Sequence, residues 1–223
     1  PGKDQHAFCI DIDREGDVRI LCNVRDNARW MGTILHELGH AVYDVGTPAS
    51  LPFLLRMPAH TLTTEAVAMY FGALIRDADW LRTVLDLPAA RAEALAPALE
   101  RSRSRNLLIF ARWAMVMIRF EREFYRNPDR DDLNALWWSL AARYQRLTPP
   151  PGAEARHDWA TKIHFAVAPV YYHNYLLGEL FAPQLRGTVE RRGSTGPALG
   201  DFFREALFRP GAIYPWNELI TRA

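Results

Sequence analysis

The stretch Ile34-Leu35-His36-Glu37-Leu38-Gly39-His40-Ala41-Val42-Tyr43-Asp44 decides how the rest of the chain is read. Its apolar residues continue a stripe of Trp30, Ile34, Leu35 and Leu38, whose spacing by three and four predicts a helix. Asn27 or Asp26 can cap that helix, and Gly46 and Pro48 end it, so it should span about 27–45. His36 and His40 lie four apart, so at about 3.6 residues per turn they share one face and can hold one metal ion. Imidazole suits Zn2+. Glu37 projects beside that site, where a carboxylate can take a proton from a metal-activated water. Two imidazoles and a carboxylate on a mostly apolar helix would be costly without such a use.

A catalytic zinc commonly takes three protein ligands and leaves a fourth position open. The downstream candidates for the third are Asp44, His60 and Glu65. Asp44 follows His40 by one turn of the same helix and cannot easily reach round to the ion. It can accept a bond from a ligand imidazole instead. Glu65 comes 25 residues after His40, beyond an irregular loop carrying Pro48, Pro52 and Pro58. It sits on a second helix, expected over 63–76 with Thr63 or Thr64 as cap and apolar nearly all round, hence buried. Glu65 is therefore the chosen third ligand.

Upstream, residues 6–24 read as a hairpin. Phe8, Ile10 and Ile12 alternate with polar or small residues, and Val18, Ile20 and Cys22 alternate on the return. With Glu15 and Gly16 at the tip, Cys9 would face Cys22. Two cysteines are too few for a disulfide framework, and they are expected as buried thiols. Downstream the pattern is helical. A short helix is expected over 79–85, a long one from Pro97 to about Tyr125, and another over 131–147. Residues 158–180 should be helical with a break at Pro169, 187–200 a turn-rich loop, 199–208 a helix ended by Pro210-Gly211, and 216–221 the last helix. The fold class is thus mainly α with one short β-hairpin near the N-terminus.

Composition sets the outer limits. Of 223 residues, 49% are hydrophobic and 24% charged, the balance of a globular chain rather than a disordered one. The net charge of +1 gives no reason to expect nucleic acid or an anionic membrane as partner. No run of about 18 uncharged apolar residues appears, so no bilayer-spanning helix is expected. The segment Arg101-Ser102-Arg103-Ser104-Arg105 reads as a solvated helix face. The opening Pro1-Gly2-Lys3 has neither an initiator Met nor a signal peptide, and a cytoplasmic location is the expectation.

His36-Glu37-Leu38-Gly39-His40 with Glu65 at that distance resembles the gluzincin metallopeptidases. The longer spacing is similar to the angiotensin-converting-enzyme-like and thimet-oligopeptidase-like families. Pro58-Ala59-His60-Thr61-Leu62-Thr63-Thr64-Glu65-Ala66-Val67-Ala68-Met69 resembles bacterial members of the former. So does the run from Ala168 through Tyr171-Tyr172-His173-Asn174-Tyr175 to Glu179 and Leu180, and so do Phe208-Arg209-Pro210-Gly211 and Trp216-Asn217-Glu218-Leu219-Ile220. The resemblance implies a zincin-like helical peptidase half with one zinc per chain, working on short peptides in a narrow channel.

It also implies a late His and Tyr residues that hold the oxyanion. The His corresponds to His164. The region departs from the better-known pattern by about one residue, so the Tyr positions rest on helical spacing. That spacing puts Tyr172, Tyr175 and Glu179 on one face, with Tyr171 and His173 as alternatives. The expected activity is zinc-dependent hydrolysis of peptide bonds, with Glu37 as general base and His164, Tyr172 and Tyr175 as donors. The rival readings are a dipeptidyl carboxypeptidase, with a late Arg such as Arg186 anchoring the substrate C-terminus, and a non-catalytic zinc-bearing binding domain. Relatives of this kind are about twice as long, so the chain is expected to be the catalytic portion, residues 1–223, of a larger peptidase whose N-terminal half forms the other channel wall.

Overall fold

A computed structural model describes residues 6–223. The opening Pro1-Gly2-Lys3 lies outside the described residues. The chain divides into two compact units: Pro1–Arg101 with Leu177–Ala223, and Ser102–Leu176. The described residues are mainly helical with one two-stranded sheet, as the patterning predicts. Among them no helix is long and apolar enough to cross a membrane.

In the first unit, β1 (Phe8–Asp11) and β2 (Val18–Leu21) pair antiparallel. The register corrects the sequence reading, because Cys9 faces Ile20 and not Cys22. The loop explains the slip. Ile12 N–H donates to the Asp17 carbonyl, while Asp13 Oδ1 accepts from the amides of Glu15 and Asp17. That centres the turn on Arg14 and Glu15, with Arg14 at φ 57° and Gly16 at φ 117°. Neither cysteine forms a disulfide, and both are only half-buried. The apolar alternation also points the other way from a usual sheet. Phe8 and Ile10 are 42% and 45% exposed, while Cys9 and Asp11 are half-buried toward the next helix.

That helix, α1 (Ala28–Gly46), starts where expected, with the Asn27 side chain accepting from Trp30 N–H. Helix α2 (Thr61–Gly72) begins earlier than expected and is capped by His60, whose Nδ1 accepts from Leu62 N–H at 3.2 Å. Thr63 and Thr64 therefore lie inside the first turns instead of capping them. A 3-10 segment, Ala73–Arg76, closes α2. The two helices approach closely. A Cβ on Gly39 would lie 2.5 Å from the Ala68 Cα, so a glycine is required there. Seven α2 residues are buried, among them Leu62, Ala66, Val67 and Tyr70, which matches its all-round apolar sequence.

Helix α3 (Ala78–Val84) is capped by Asp77. Helix α4 (Ala89–Arg126) starts eight residues before Pro97, which lies inside it. The missing Pro97 N–H costs one helical bond, and α4 carries on with it. In the second unit, α5 (Leu133–Gln145) ends at Arg146, which takes the left-handed conformation. The continuous helix expected from 158 is broken further than Pro169 alone would require. A 3-10 turn, Asp158–Thr161, is followed by the short α6 (His164–Val167). Residues 168–171 then form a connection in which Val170 takes φ 55° and its N–H is held at 2.6 Å by the buried Glu121 carboxylate.

Helix α7 (Tyr172–Arg192) runs through Pro183 and Gly187, so the expected loop over 187–200 is reduced to residues between Arg192 and Gly196. Helix α8 (Gly196–Phe203) passes into a π-helical turn, Arg204–Phe208, and α9 (Trp216–Arg222) ends the chain.

Each unit has its own core. In the first, Tyr43, Leu62, Val67, Leu185, Leu207 and Leu219 are nearly inaccessible, each contributing roughly 1.5–3 kcal/mol by burial. The Tyr43 hydroxyl, buried with them, donates to the Leu207 carbonyl at 3.0 Å. In the second, Val116, Met117, Phe120 and Trp137 form the centre, ringed by aromatics.

Candidate metal centre

The close crossing of α1 and α2 brings His36, His40 and Glu65 together. One ligand atom from each lies within 4.8 Å of the others. His36 Nε2 and His40 Nε2 are 3.6 and 3.9 Å from Glu65 Oε2. The imidazoles meet edge to face, with centroids 4.9 Å apart. Burial lowers the His36 pKa to about 4 and the His40 pKa to about 3, the latter with a contribution from His36. In both, burial disfavours the charged ring and so favours the neutral imidazole, which has a lone pair to offer. Glu65 is 1% exposed.

The donor set fits zinc. Ligands at about 2.0–2.2 Å from a tetrahedral ion lie roughly 3.4 Å apart, close to the two distances found. Two imidazoles and one carboxylate are a common catalytic zinc set, with a fourth place left for water or substrate.

Three contacts support this cluster that the sequence reading did not include. His40 Nδ1 lies 2.7 Å from Thr64 Oγ1. A Cβ on Gly178 of α7 would lie 3.0 Å from the Glu65 Cβ, so α7 backs directly onto that side chain. The backbone N–H of Cys9 in β1 donates to the Glu37 carboxyl. Only the first had a sequence signal, a hydroxyl residue next to Glu65; the others depend on tertiary packing.

Glu37 is 7% exposed. Burial raises its pKa to about 7, opposed by the Cys9 amide. Asp44 is raised to about 6, first by burial and then by Asp11. The Cys9 thiol is pushed up to about 12, by burial first and then by Asp44 and Glu37. Asp44 thus lies beside the hairpin residues Cys9 and Asp11. His60, considered as a ligand from sequence, is the cap of α2. Arg186, considered as a substrate anchor, donates to Asp77 at 2.8 Å and lies over the Tyr70 ring. Burial raises the Glu179 carboxyl, with Arg76 opposing.

The second unit brings His164, Tyr172 and Tyr175 together. The Tyr175 hydroxyl is 3.5 Å from His164 Nε2. The His164 ring meets those of Tyr172 and Tyr175 at 5.0 and 5.9 Å. Trp113 Nε1–H donates to the Tyr172 hydroxyl at 2.6 Å, leaving that hydroxyl its own proton to give. Burial raises the Tyr172 pKa. Tyr171 packs on Tyr175 at 5.1 Å.

Known proteins agree with this architecture. The family model described as Peptidase_M2: Angiotensin-converting enzyme matches residues 5–200. Among solved structures, PZ peptidase A with an inhibitor is similar at TM-score 0.79 and 18% identity, covering 99% of this chain and 38% of that one. A putative oligoendopeptidase F is similar at TM-score 0.79 and 20% identity, with the same coverage. A putative oligoendopeptidase F from Bacillus anthracis str. Ames gives TM-score 0.71 and 16% identity, over 99% of this chain and 35% of that one. A search of curated protein sequences gives no match. The chain thus spans 38% of the length of the first two solved relatives.

Proposed function

The chain belongs to the angiotensin-converting enzyme family of peptidases, and from that membership we propose that it is the zinc-bearing catalytic portion of a peptidase acting on short peptides. The observation that carries this reading is the convergence of His36, His40 and Glu65, directly beside Glu37 in sequence. These three would hold one zinc ion per chain. When bound, zinc supplies Lewis acidity, which polarises the scissile carbonyl and makes water a stronger acid.

Glu37 accepts the proton of the attacking water and returns it to the leaving amine. The Cys9 amide keeps its carboxyl oriented. Asp44, expected from the sequence to accept from a ligand imidazole, is not given that role, because His40 Nδ1 is met by Thr64 and Asp44 lies beside Cys9 and Asp11. His164, Tyr172 and Tyr175 are assigned the oxyanion, where one well-aimed donor contributes about 3 kcal/mol. Further polypeptide, corresponding to an N-terminal half of the same enzyme, is proposed to complete the substrate channel, since the chain spans 38% of its first solved relatives.

The test is cleavage of an internally quenched short peptide by the purified, zinc-loaded chain. Cleavage should stop with chelator and return on adding zinc. Glu37→Gln should hold zinc as the wild type does and cleave nothing measurable. Turnover by that variant at the wild-type rate contradicts the assignment of Glu37.

A further inference from the structure

We propose that Thr64 is a positioning residue for the metal centre: its hydroxyl accepts from His40 Nδ1–H and so holds the ring in the tautomer that leaves Nε2 bare for zinc. The inference rests on the zinc reading of His36, His40 and Glu65.

Nδ1 of His40 lies 2.7 Å from Thr64 Oγ1, a full-strength hydrogen bond. On the other side of the same ring, Nε2 lies 3.9 Å from Glu65 Oε2 and belongs to the cluster. A neutral imidazole carries one ring proton. If Nδ1–H is bonded to Thr64, Nε2 is an acceptor and can bind a metal. If the hydroxyl instead donated to Nδ1, the proton would sit on Nε2 and block it. Zinc ligation at Nε2 is compatible only with the first arrangement.

Helix α2 thus serves the site from two neighbouring positions. Glu65 supplies a ligand atom, and Thr64 sets the orientation and proton of a ligand that α1 supplies. The His60 cap makes this possible. By starting α2 at Thr61, it leaves Thr64 inside the helix with its hydroxyl available to α1. Serine would keep the hydroxyl, and valine would keep the shape without it. Outer partners of metal-bound imidazoles commonly change metal affinity by about 10- to 100-fold.

The experiment measures the zinc dissociation constant of the full chain by competition with a chromophoric chelator, for wild type, Thr64→Val, Thr64→Ser and Asp44→Asn. Thr64→Val should bind zinc about 10- to 100-fold more weakly, and Thr64→Ser should stay within about threefold of wild type. Far-UV circular dichroism of the metal-free forms should be the same for all. Equal zinc affinity in wild type and Thr64→Val overturns the proposal, as does a loss in Asp44→Asn with none in Thr64→Val. If Thr64→Val does not fold, long-range 1H–15N correlation on the metal-free wild type decides the matter. His40 should carry its proton on Nδ1, and a proton on Nε2 overturns the proposal. Wild type that takes up no zinc overturns the zinc reading itself, an outcome distinct from equal affinities.

Discussion

The α1–α2 crossing in the first unit and the aromatic cluster in the second are built by opposite means. At the crossing, backbone meets backbone. Gly39 sits against the Ala68 backbone with no room for a methyl group, and Gly178 of α7 sits tightly against the Glu65 Cβ. In the second unit, large rings meet edge to face around Trp113, Tyr172 and Tyr175, and one indole N–H fixes a phenol. The first arrangement sets the positions of His36, His40 and Glu65 through rigid backbone. The second sets hydroxyl positions through side chains that can re-pack. Changes of one carbon should therefore be severe at the crossing and mild in the aromatic cluster.

The largest effect is expected for Gly39→Ala. Its Cβ would meet the Ala68 Cα at 2.5 Å, the Ala68 N at 2.9 Å and the Val67 O at 3.0 Å. All are backbone atoms and cannot swing aside. A loss of about 3 kcal/mol or more is expected in denaturant unfolding of the metal-free chain, together with loss of zinc binding. Near-wild-type stability would break the contrast. Gly178→Ala comes next, because its contacts begin at 3.0 Å and include the pliable Met69 Sδ at 3.1 Å. About 1–2 kcal/mol is expected, again by denaturant unfolding.

Trp113→Phe removes the donor to Tyr172 and keeps most of the ring packing. It should cost about 1 kcal/mol and leave zinc affinity unchanged, as measured by unfolding and chelator competition. A loss of zinc affinity there would show that the two regions are not separable in the way argued.

The smallest effect concerns charge. Asp44 is raised to about 6 in the folded chain, against 3.8 normally. The folded state therefore binds more protons than the unfolded one between these values. Stability is fullest below about 3.8, declines as pH rises through 6, and then levels. Asp44→Asn removes that decline. In the metal-free chain it should raise stability by on the order of 1 kcal/mol at pH 8, and the gain should vanish toward pH 4. Thermal melts of both forms across this range check the sign.

The parts of the fold legible in the sequence were those governed by local chemistry. Asn27 capped α1 as read, and the all-round apolar character of α2 meant burial. The His36, His40 and Glu65 set followed from helical period and loop length, and the structure brings these residues together. What was not legible depended on competition between local signals. Two threonines looked like caps, but the preceding His60 captured the helix start. Pro97 and Gly187 looked like boundaries, but α4 and α7 continued through them. The hairpin tip was displaced because Asp13 collected two amides and recentred the turn, moving Cys9 away from Cys22. Thr64 read as a helix cap and not as a partner of His40, because nothing in a one-dimensional pattern tells which hydroxyl will face an imidazole on another helix.

The most direct test of the central claim is the zinc content of wild type and Glu65→Ala after exhaustive dialysis, by elemental analysis. Wild type should retain one zinc per chain, and Glu65→Ala, keeping its helical circular dichroism, should retain almost none. A zinc-free wild type, or a Glu65→Ala variant with full occupancy, would contradict the assignment of His36, His40 and Glu65 as the metal centre.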